Sequence, residues 1–184
     1  MLRAEPRWHE EARGYKIRHV PATLPDMLKS EFVLQFEYSR SLGRTSDQAI
    51  ADMRAKLDYL RQPETDYEIA VPRDELESFA EGHGYWSGLN KSIRRDQLER
   101  LAQICSELYP SLRLYLFDRK TLFSAPLTIF GPISASIYVG QMHMIFRERR
   151  QIQALSGHFD ALVRGATVDA RRVPQTLEGM LSRL

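Results

Sequence analysis

The spacing of apolar residues changes near Pro110, and this change constrains the fold more than any other feature. Before Pro110, apolar residues recur mostly at helical spacing. The clearest stripe is Ile50, Met53, Leu57 and Leu60. After Pro110, turn residues separate four strand-like runs, which are 112–117, 127–130, 135–139 and 142–146. Helices first and strands later predict an α+β domain, with a largely antiparallel sheet of four to six strands packed against helices.

Shorter patterns place further elements. Residues 15–20 alternate between apolar and polar side chains, which is typical of a half-buried strand. Pro25 and Asp26 predict the start of a helix that buries Leu28, Phe32 and Phe36 on one face. The pair Gly140 and Gln141 predicts a two-residue hairpin turn between the last two strands.

The predicted elements indicate one domain. We expect residues 1–14 to form a flexible N-terminal segment, 15–168 a regulatory domain and 169–184 a C-terminal helical tail. The chain has 184 residues, 43% of them hydrophobic and 27% charged, which is globular composition and excludes a disordered chain.

The net charge and the cysteine content indicate in which cellular compartment the protein lies and which classes of partner it has. Lys and Arg number 26 against 24 Asp and Glu, so the net charge of +2 gives no general field that would attract nucleic acid or anionic lipid. The single cysteine, Cys105, excludes an intrachain disulfide framework and indicates a reducing compartment. With no signal-like start and no apolar run of about 20 residues, the prediction is a cytoplasmic protein without a membrane partner.

Neither a metal site nor a cofactor is predicted. The histidines lack the mutual spacing of metal ligands. They are His9, His19, His83, His143 and His158. No catalytic residue is assigned either. The alternative is a small metal-dependent nuclease, in which Asp118 would hold a cation and Lys120 would orient water. A strand-to-turn junction explains this triplet equally well.

Clustered arginines leave direct DNA binding as a second alternative. The clusters are Arg94-Arg95, Arg147-Glu148-Arg149-Arg150 and Arg171-Arg172. Solvated surface charge is the simpler interpretation, since an acid interrupts the longest cluster. We therefore expect no direct nucleic-acid binding by this chain.

Aromatic and methionine side chains in the strand-rich half, together with Trp86, suggest a ligand site. A curved sheet covered by helices can enclose an apolar cavity, and flexible Met with polar-tipped Tyr suits a small apolar ligand. The predicted lining is Trp86, Tyr115, Phe130, Tyr138 and Met144. The alternative is that these side chains simply form core.

Five short motifs, taken in order, resemble the C-terminal effector half of Xre-type helix-turn-helix regulators, the lambda-repressor-like class. They are LPDMLKS at 24–30 followed by Tyr38, the helix end from Arg54 to Gln62, VPRDEL at 71–76, QLERL at 97–101, and the late strands from Phe130 with a closing helix that carries Phe159, Leu162 and Ala166. The likeness covers residues 15–168. It departs from the family pattern at DMLKS, and in a glycine displaced into 82–88.

The resemblance implies a non-catalytic, bacterial transcription-regulatory domain that senses a ligand or a partner and forms a homodimer or binds a partner regulator. A helix-turn-helix needs roughly 50–60 residues, and only fourteen precede the first predicted strand. The chain is therefore expected to lack the DNA-binding half. Within this class of domain, Arg54, Arg61 and Glu75 are expected to form a buried or half-buried ion pair that ties the second helix to the strand after it.

Overall fold

One six-stranded sheet organises the computed structural model, which describes residues 4–39, 45–140 and 142–184. Its strands are β1 (Ile17–Val20), β2 (Tyr67–Pro72), β3 (Leu112–Phe117), β4 (Leu127–Phe130), β5 (Ser134–Val139) and β6 (Met142–Phe146). Their order across the sheet is β3-β2-β1-β4-β5-β6. The β1–β2 and β2–β3 pairs are parallel, and the other three are antiparallel. The predicted α+β class is confirmed, with a sheet that is mixed.

Helices cover both faces of this sheet. Those of the described ranges are α1 (Ala4–Glu11), α2 (Glu31–Tyr38), α3 (Ser46–Leu60), α4 (Arg73–Glu81), α5 (Lys91–Glu107), α6 (Arg149–Arg164) and α7 (Val173–Leu181). Two 3₁₀ turns, Asp26–Leu28 and Gly84–Trp86, precede α2 and α5. Within these ranges, none of the helices combines the length and the apolarity that crossing a bilayer requires.

The alternation of side chains along each strand divides the core into two layers. In β2, Ile69 and Val71 face the larger core, which α1 to α5 and α7 contribute to, whereas Ala70 faces α6. On the α6 side, Ile152, Phe159 and Leu162 cover the sheet at helical spacing. The larger core therefore lies on the face that carries both parallel crossovers.

The helix predicted from Pro25 is interrupted, and this part of the prediction is wrong. The backbone of Lys29 is extended (φ −70°, ψ 152°), and α2 begins only after Ser30, whose hydroxyl caps the helix by accepting a hydrogen bond from the Val33 amide. The break rotates the second segment, so Phe32 is 62% exposed. A strong capping residue therefore outweighs the apparent i, i+4 stripe.

The first and last helices of the described residues both pack on the domain. In the segment 1–14, which was expected to be flexible, α1 packs against the sheet: Trp8 is 8% exposed, and its ring centroid lies 5.7 Å from that of Phe130. In the helical tail, Val173 and Leu177 are fully buried where α7 packs on α5. Alternating charges around Trp8 concealed the first of these contacts.

The predicted hairpin between the last two strands is confirmed. Val139 pairs with Met142, and the intervening Gly140 has a φ of +61°, a left-handed conformation that glycine adopts without steric cost. Gln141, the other predicted turn residue, lies outside the described residues.

Substitution of Trp8 tests the packing of α1. Trp8→Ala is expected to lower the free energy of unfolding by about 3–5 kcal/mol, because it removes a large buried ring from the core. Chemical denaturation measures the change. Phe32→Ala is the matched control, which should change stability by less than about 0.5 kcal/mol since that ring is exposed. Equal effects of the two substitutions would contradict the packing.

Candidate functional site

The most strongly charged buried site surrounds Lys29, whose side chain is only 2% exposed. Its ammonium Nζ lies 2.7 Å from Asp26 Oδ1 and 2.6 Å from Glu37 Oε2. The extended backbone at Lys29 places this side chain between the 3₁₀ turn that holds Asp26 and the helix α2 that holds Glu37. A buried ammonium is tolerated only when it is paired, and here two carboxylates pair it.

Neutral side chains complete this Lys29 cluster. Lys29 Nζ donates to Thr23 Oγ1 at 3.2 Å, and the Tyr38 hydroxyl donates to Asp26 Oδ2 at 2.9 Å. The indole of Trp86 lies on another side, with its ring centroid 5.8 Å from Nζ, a cation–π contact. The cluster thereby joins the end of β1, α2 and the second 3₁₀ turn.

The cluster shifts the pKa values of its acids in opposite directions. Partial burial acts to raise the pKa of Asp26, but the charge of Lys29 and the hydrogen bonds from Lys29 and Tyr38 outweigh it and lower the pKa to about 2. Burial raises the pKa of Glu37 in spite of Lys29. Burial and the neighbouring Glu37 raise the pKa of the Tyr85 hydroxyl to about 12.

A second set of contacts extends the network to the ends of β2 and β3. The Trp86 Nε1–H donates to Glu75 Oε1 at 2.9 Å. Arg119, just after β3, lies 3.7 Å from Glu75 Oε2 and 3.4 Å from Asp74 Oδ2. The loops after the three parallel strands are thus joined by ion pairs and by the Trp86 indole, which contacts both Lys29 and Glu75.

The predicted pairing of Arg54 and Arg61 with Glu75 is not what the structure contains. Arg54 instead donates through Nε to Glu31 at 3.0 Å on the exposed surface, and Arg61 is exposed at the end of α3. Glu75 does tie helix to loop, through Trp86 and Arg119 rather than through α3. The spacing of residues along a helix predicts on which face an arginine lies, but it does not predict which distant residue the arginine contacts.

The largest concentration of exposed apolar side chains is on the β5–β6 hairpin. We call it the hairpin surface, and it consists of Tyr138, Val139, Met142, Met144 and Ile145, which are 38–63% exposed. Side-chain alternation puts Tyr138 and Ile145 on one face of the sheet and the other three on the face of α6. The hairpin surface lies at the β6 edge of the sheet. A surface of this kind is suited to binding another protein.

The five residues predicted to line a ligand pocket are not brought together. Trp86 and Phe130 are buried in the larger core, at 0% and 2% exposure. Tyr115 lies half-buried on the α6 face of β3. Tyr138 and Met144 both belong to the hairpin surface, although on opposite faces. Sequence reasoning thus found part of this surface but assigned it to a cavity.

The sequence contains a pattern from which the remaining residues of the hairpin surface could have been predicted. Between Lys120 and Arg147 the chain contains no Asp, Glu, Lys or Arg, so both faces of the β5–β6 hairpin lack charge. By contrast, only the spacing of Asp26 and Lys29 hinted at the Lys29 cluster, because Glu37 reaches it through the break before α2 and Trp86 comes from a distant part of the chain.

Local contacts account for the other candidate motifs. Asp118 Oδ1 accepts a hydrogen bond from the Lys120 backbone amide at 2.8 Å, so the carboxylate stabilises its own turn. Among the described residues, no cluster of His, Cys, Asp and Glu has the arrangement of a metal site. Two of the clustered arginines have intramolecular partners: Arg94 donates to the Leu89 carbonyl at 3.2 Å, and Arg171 donates to the Tyr109 hydroxyl at 2.9 Å.

Comparison with known proteins adds no relative to these observations. No family model matches the chain, and neither a curated protein nor a solved structure matches it significantly.

Removing the ammonium tests the energetic role of the Lys29 cluster. Lys29→Met should lower the free energy of unfolding by about 3–5 kcal/mol at neutral pH, because Asp26 and Glu37 lose their common partner. Arg54→Met is the matched control: it breaks an exposed ion pair and should cost less than about 1 kcal/mol. Denaturant titration of both variants gives the comparison, and similar costs would contradict a special role for Lys29.

The pKa of Asp26 predicts a specific acid response. Since the folded-state pKa of about 2 lies below the usual 3.8, ionised Asp26 stabilises the fold above pH 4, and this contribution is lost as the pH falls towards 2. Glu37 acts in the opposite sense, because its raised pKa favours proton uptake by the folded state. In urea denaturation at pH 4 and at pH 2, Asp26→Asn should therefore lose less stability between the two pH values than the parent chain does. Asp58→Asn, at an exposed position outside the cluster, is the control. Equal losses in the parent chain and in Asp26→Asn would contradict this role of Asp26.

Proposed function

We propose that this chain is a non-catalytic, cytoplasmic regulatory domain that acts by associating with protein. The observation that carries the proposal is the hairpin surface, which presents uncharged, half-exposed side chains at the edge of the sheet. Natural edge strands usually carry Lys, Pro or a bulge that discourages pairing, and β6 has none of these. Exposed apolar surface without such protection favours a binding role.

The ordered motifs described above support the regulatory part of the proposal. The resemblance to the effector half of Xre-type regulators implies a domain that senses or assembles. The Lys29 cluster agrees with such a role, since its charges are consumed in mutual pairing and hold a rigid platform. Buried Cys105, whose pKa burial raises to about 12, accords with a reducing compartment and an inert thiol.

Association and catalysis predict different results for the purified protein. Sedimentation velocity over a range of micromolar concentrations should show reversible association that depends on protein concentration. Plasmid DNA incubated with the protein and Mg²⁺ or Mn²⁺ should stay intact, as it does in the protein-free buffer.

The variant Asp118→Ala serves as the control for the nuclease alternative. A monomer at every concentration, together with metal-dependent cleavage that Asp118→Ala abolishes, would overturn the proposal in favour of the enzyme. Association that is unaltered by Asp118→Ala would agree with the regulatory role.

A further inference from the structure

We infer that the hairpin surface binds a second copy of this chain, through antiparallel pairing of β6 with β6 of the partner across a two-fold axis at Met144. The inference rests on the proposed function and names the partner of the same surface. It joins the two six-stranded sheets into one continuous sheet.

The two edges of the sheet differ in whether another segment of the chain forms hydrogen bonds to them. At the β3 edge, the Leu116 amide donates to the Val168 carbonyl at 3.0 Å, and the Thr167 amide donates to the Leu116 carbonyl at 2.8 Å. The segment after α6 therefore bridges that edge at Leu116. At the other edge, β6 is the last strand of the sheet in the described part of the chain. Among the described residues no such bridge is found along β6, so this edge is placed to extend the sheet.

The hydrogen-bonding pattern of β5 determines which residues of β6 direct their backbone N–H and C=O groups outward, away from β5. The Tyr138 amide donates to the Pro126 carbonyl on the β4 side, so the neighbouring residues of β5 bond towards β6. In the observed register, Ile137 pairs with Met144 and Ala135 with Phe146. Met144 consequently directs its backbone groups towards β5, while those of its two strand neighbours, at 143 and 145, point to the outer side.

This hydrogen-bonding pattern and the length of β6 together select a register for the pair of copies. An axis at Met144 is the one that keeps every residue of β6 within the paired stretch. With the axis at Met144, residue 143 of one copy and Ile145 of the other form hydrogen-bonded pairs on both sides of the axis. The two Met144 residues then form a non-hydrogen-bonded pair, with Cα atoms about 4.5 Å apart. All five residues of β6 lie within the paired stretch, so no apolar residue of the strand is left over.

Charge favours a second copy in this antiparallel orientation. The strand itself is uncharged, but Arg147, Arg149 and Arg150 follow directly and are exposed. Antiparallel pairing puts the two arginine clusters at opposite ends, with the Arg147 residues roughly 20 Å apart, which exceeds the screening length of about 8 Å at physiological salt. A parallel arrangement would stack these clusters against each other.

The apolar contact that this pairing forms is small. Met142, Met144 and Ile145 of each copy lie on β6 and come beside the partner strand, whereas Tyr138 and Val139 lie one strand away on β5. The contact is therefore smaller than the roughly 1,000 Å² of a stable specific interface. The association is accordingly expected to be reversible.

Engineered cysteines test the register. Met144→Cys should form an intermolecular disulfide under mild oxidation with oxidised glutathione, because a Cα separation of about 4.5 Å suits the bond. Met142→Cys is the matched control on the same strand and face. In this register the two copies of residue 142 lie at least about 13 Å apart, so this variant should not cross-link. The parent chain, whose only cysteine is buried, should not cross-link either.

A charge variant tests the surface without relying on oxidation. Met144→Lys brings two ammonium groups together at the axis and should weaken dimerisation by at least about tenfold in sedimentation equilibrium. Phe123→Lys, at an apolar residue that is 76% exposed outside the hairpin surface, should leave it unchanged. Thermal unfolding of both variants checks that the monomer fold is retained.

The outcomes separate this inference from the proposed function. If the parent chain dimerises but Met144→Cys stays uncross-linked, or Met142→Cys cross-links equally well, the β6 pairing is wrong while association stands. If the parent is monomeric throughout and Met144→Lys has no effect, the pairing is wrong and the proposed association loses its main support. Selective cross-linking of Met144→Cys with weakening by Met144→Lys establishes the pairing.

Discussion

The buried ammonium of Lys29 is the interaction on which the arrangement of the helical half depends. An unpaired charge at this depth would cost several kcal/mol, so the chain must bring carboxylates to it. Asp26 comes from the preceding turn and Glu37 from the following helix, which fixes the extended backbone between them. Trp86 then extends the constraint across the sheet ends to Glu75.

The opposite end of the sheet is organised by apolar surface instead of charge. Between Lys120 and Arg147 the chain forms β4, β5 and β6 without one charged residue. The inner strands of this run are covered by α6 and by α1, whereas β6 remains partly exposed. The molecule thus combines a half whose buried charges are paired with one another and a half that is suited to extending its sheet.

Much of the fold could be predicted because its signals are local. The stripe that includes Met53 and Leu57 gave α3, and the alternating and apolar runs gave the strands, since the period of apolar residues reflects only neighbouring positions. The prediction failed where one local signal opposed another: the cap at Ser30 outweighed the apparent stripe through Phe32. It also missed α1, whose Trp8 is buried against the sheet among charged neighbours in the sequence.

For the candidate site as well, local features could be predicted from the sequence, whereas contacts between distant residues could not. Tyr138 and Met144 were singled out for their chemistry, but the sequence could not show that their hairpin lies at the edge of the sheet, with both side chains partly exposed. The sequence also could not predict that Arg54 donates a hydrogen bond to Glu31, or that Trp86 donates one to Glu75.

By itself, the sequence determined the class of fold, the hairpin and the uncharged strand-rich segment, because these depend on spacing within about twenty residues. Only the tertiary structure decided that Lys29 meets Trp86, that Val168 covers the edge at Leu116, and that β6 is the last strand. Such contacts join residues far apart in the chain, and they are selected by the free energy of burying charge and apolar surface together.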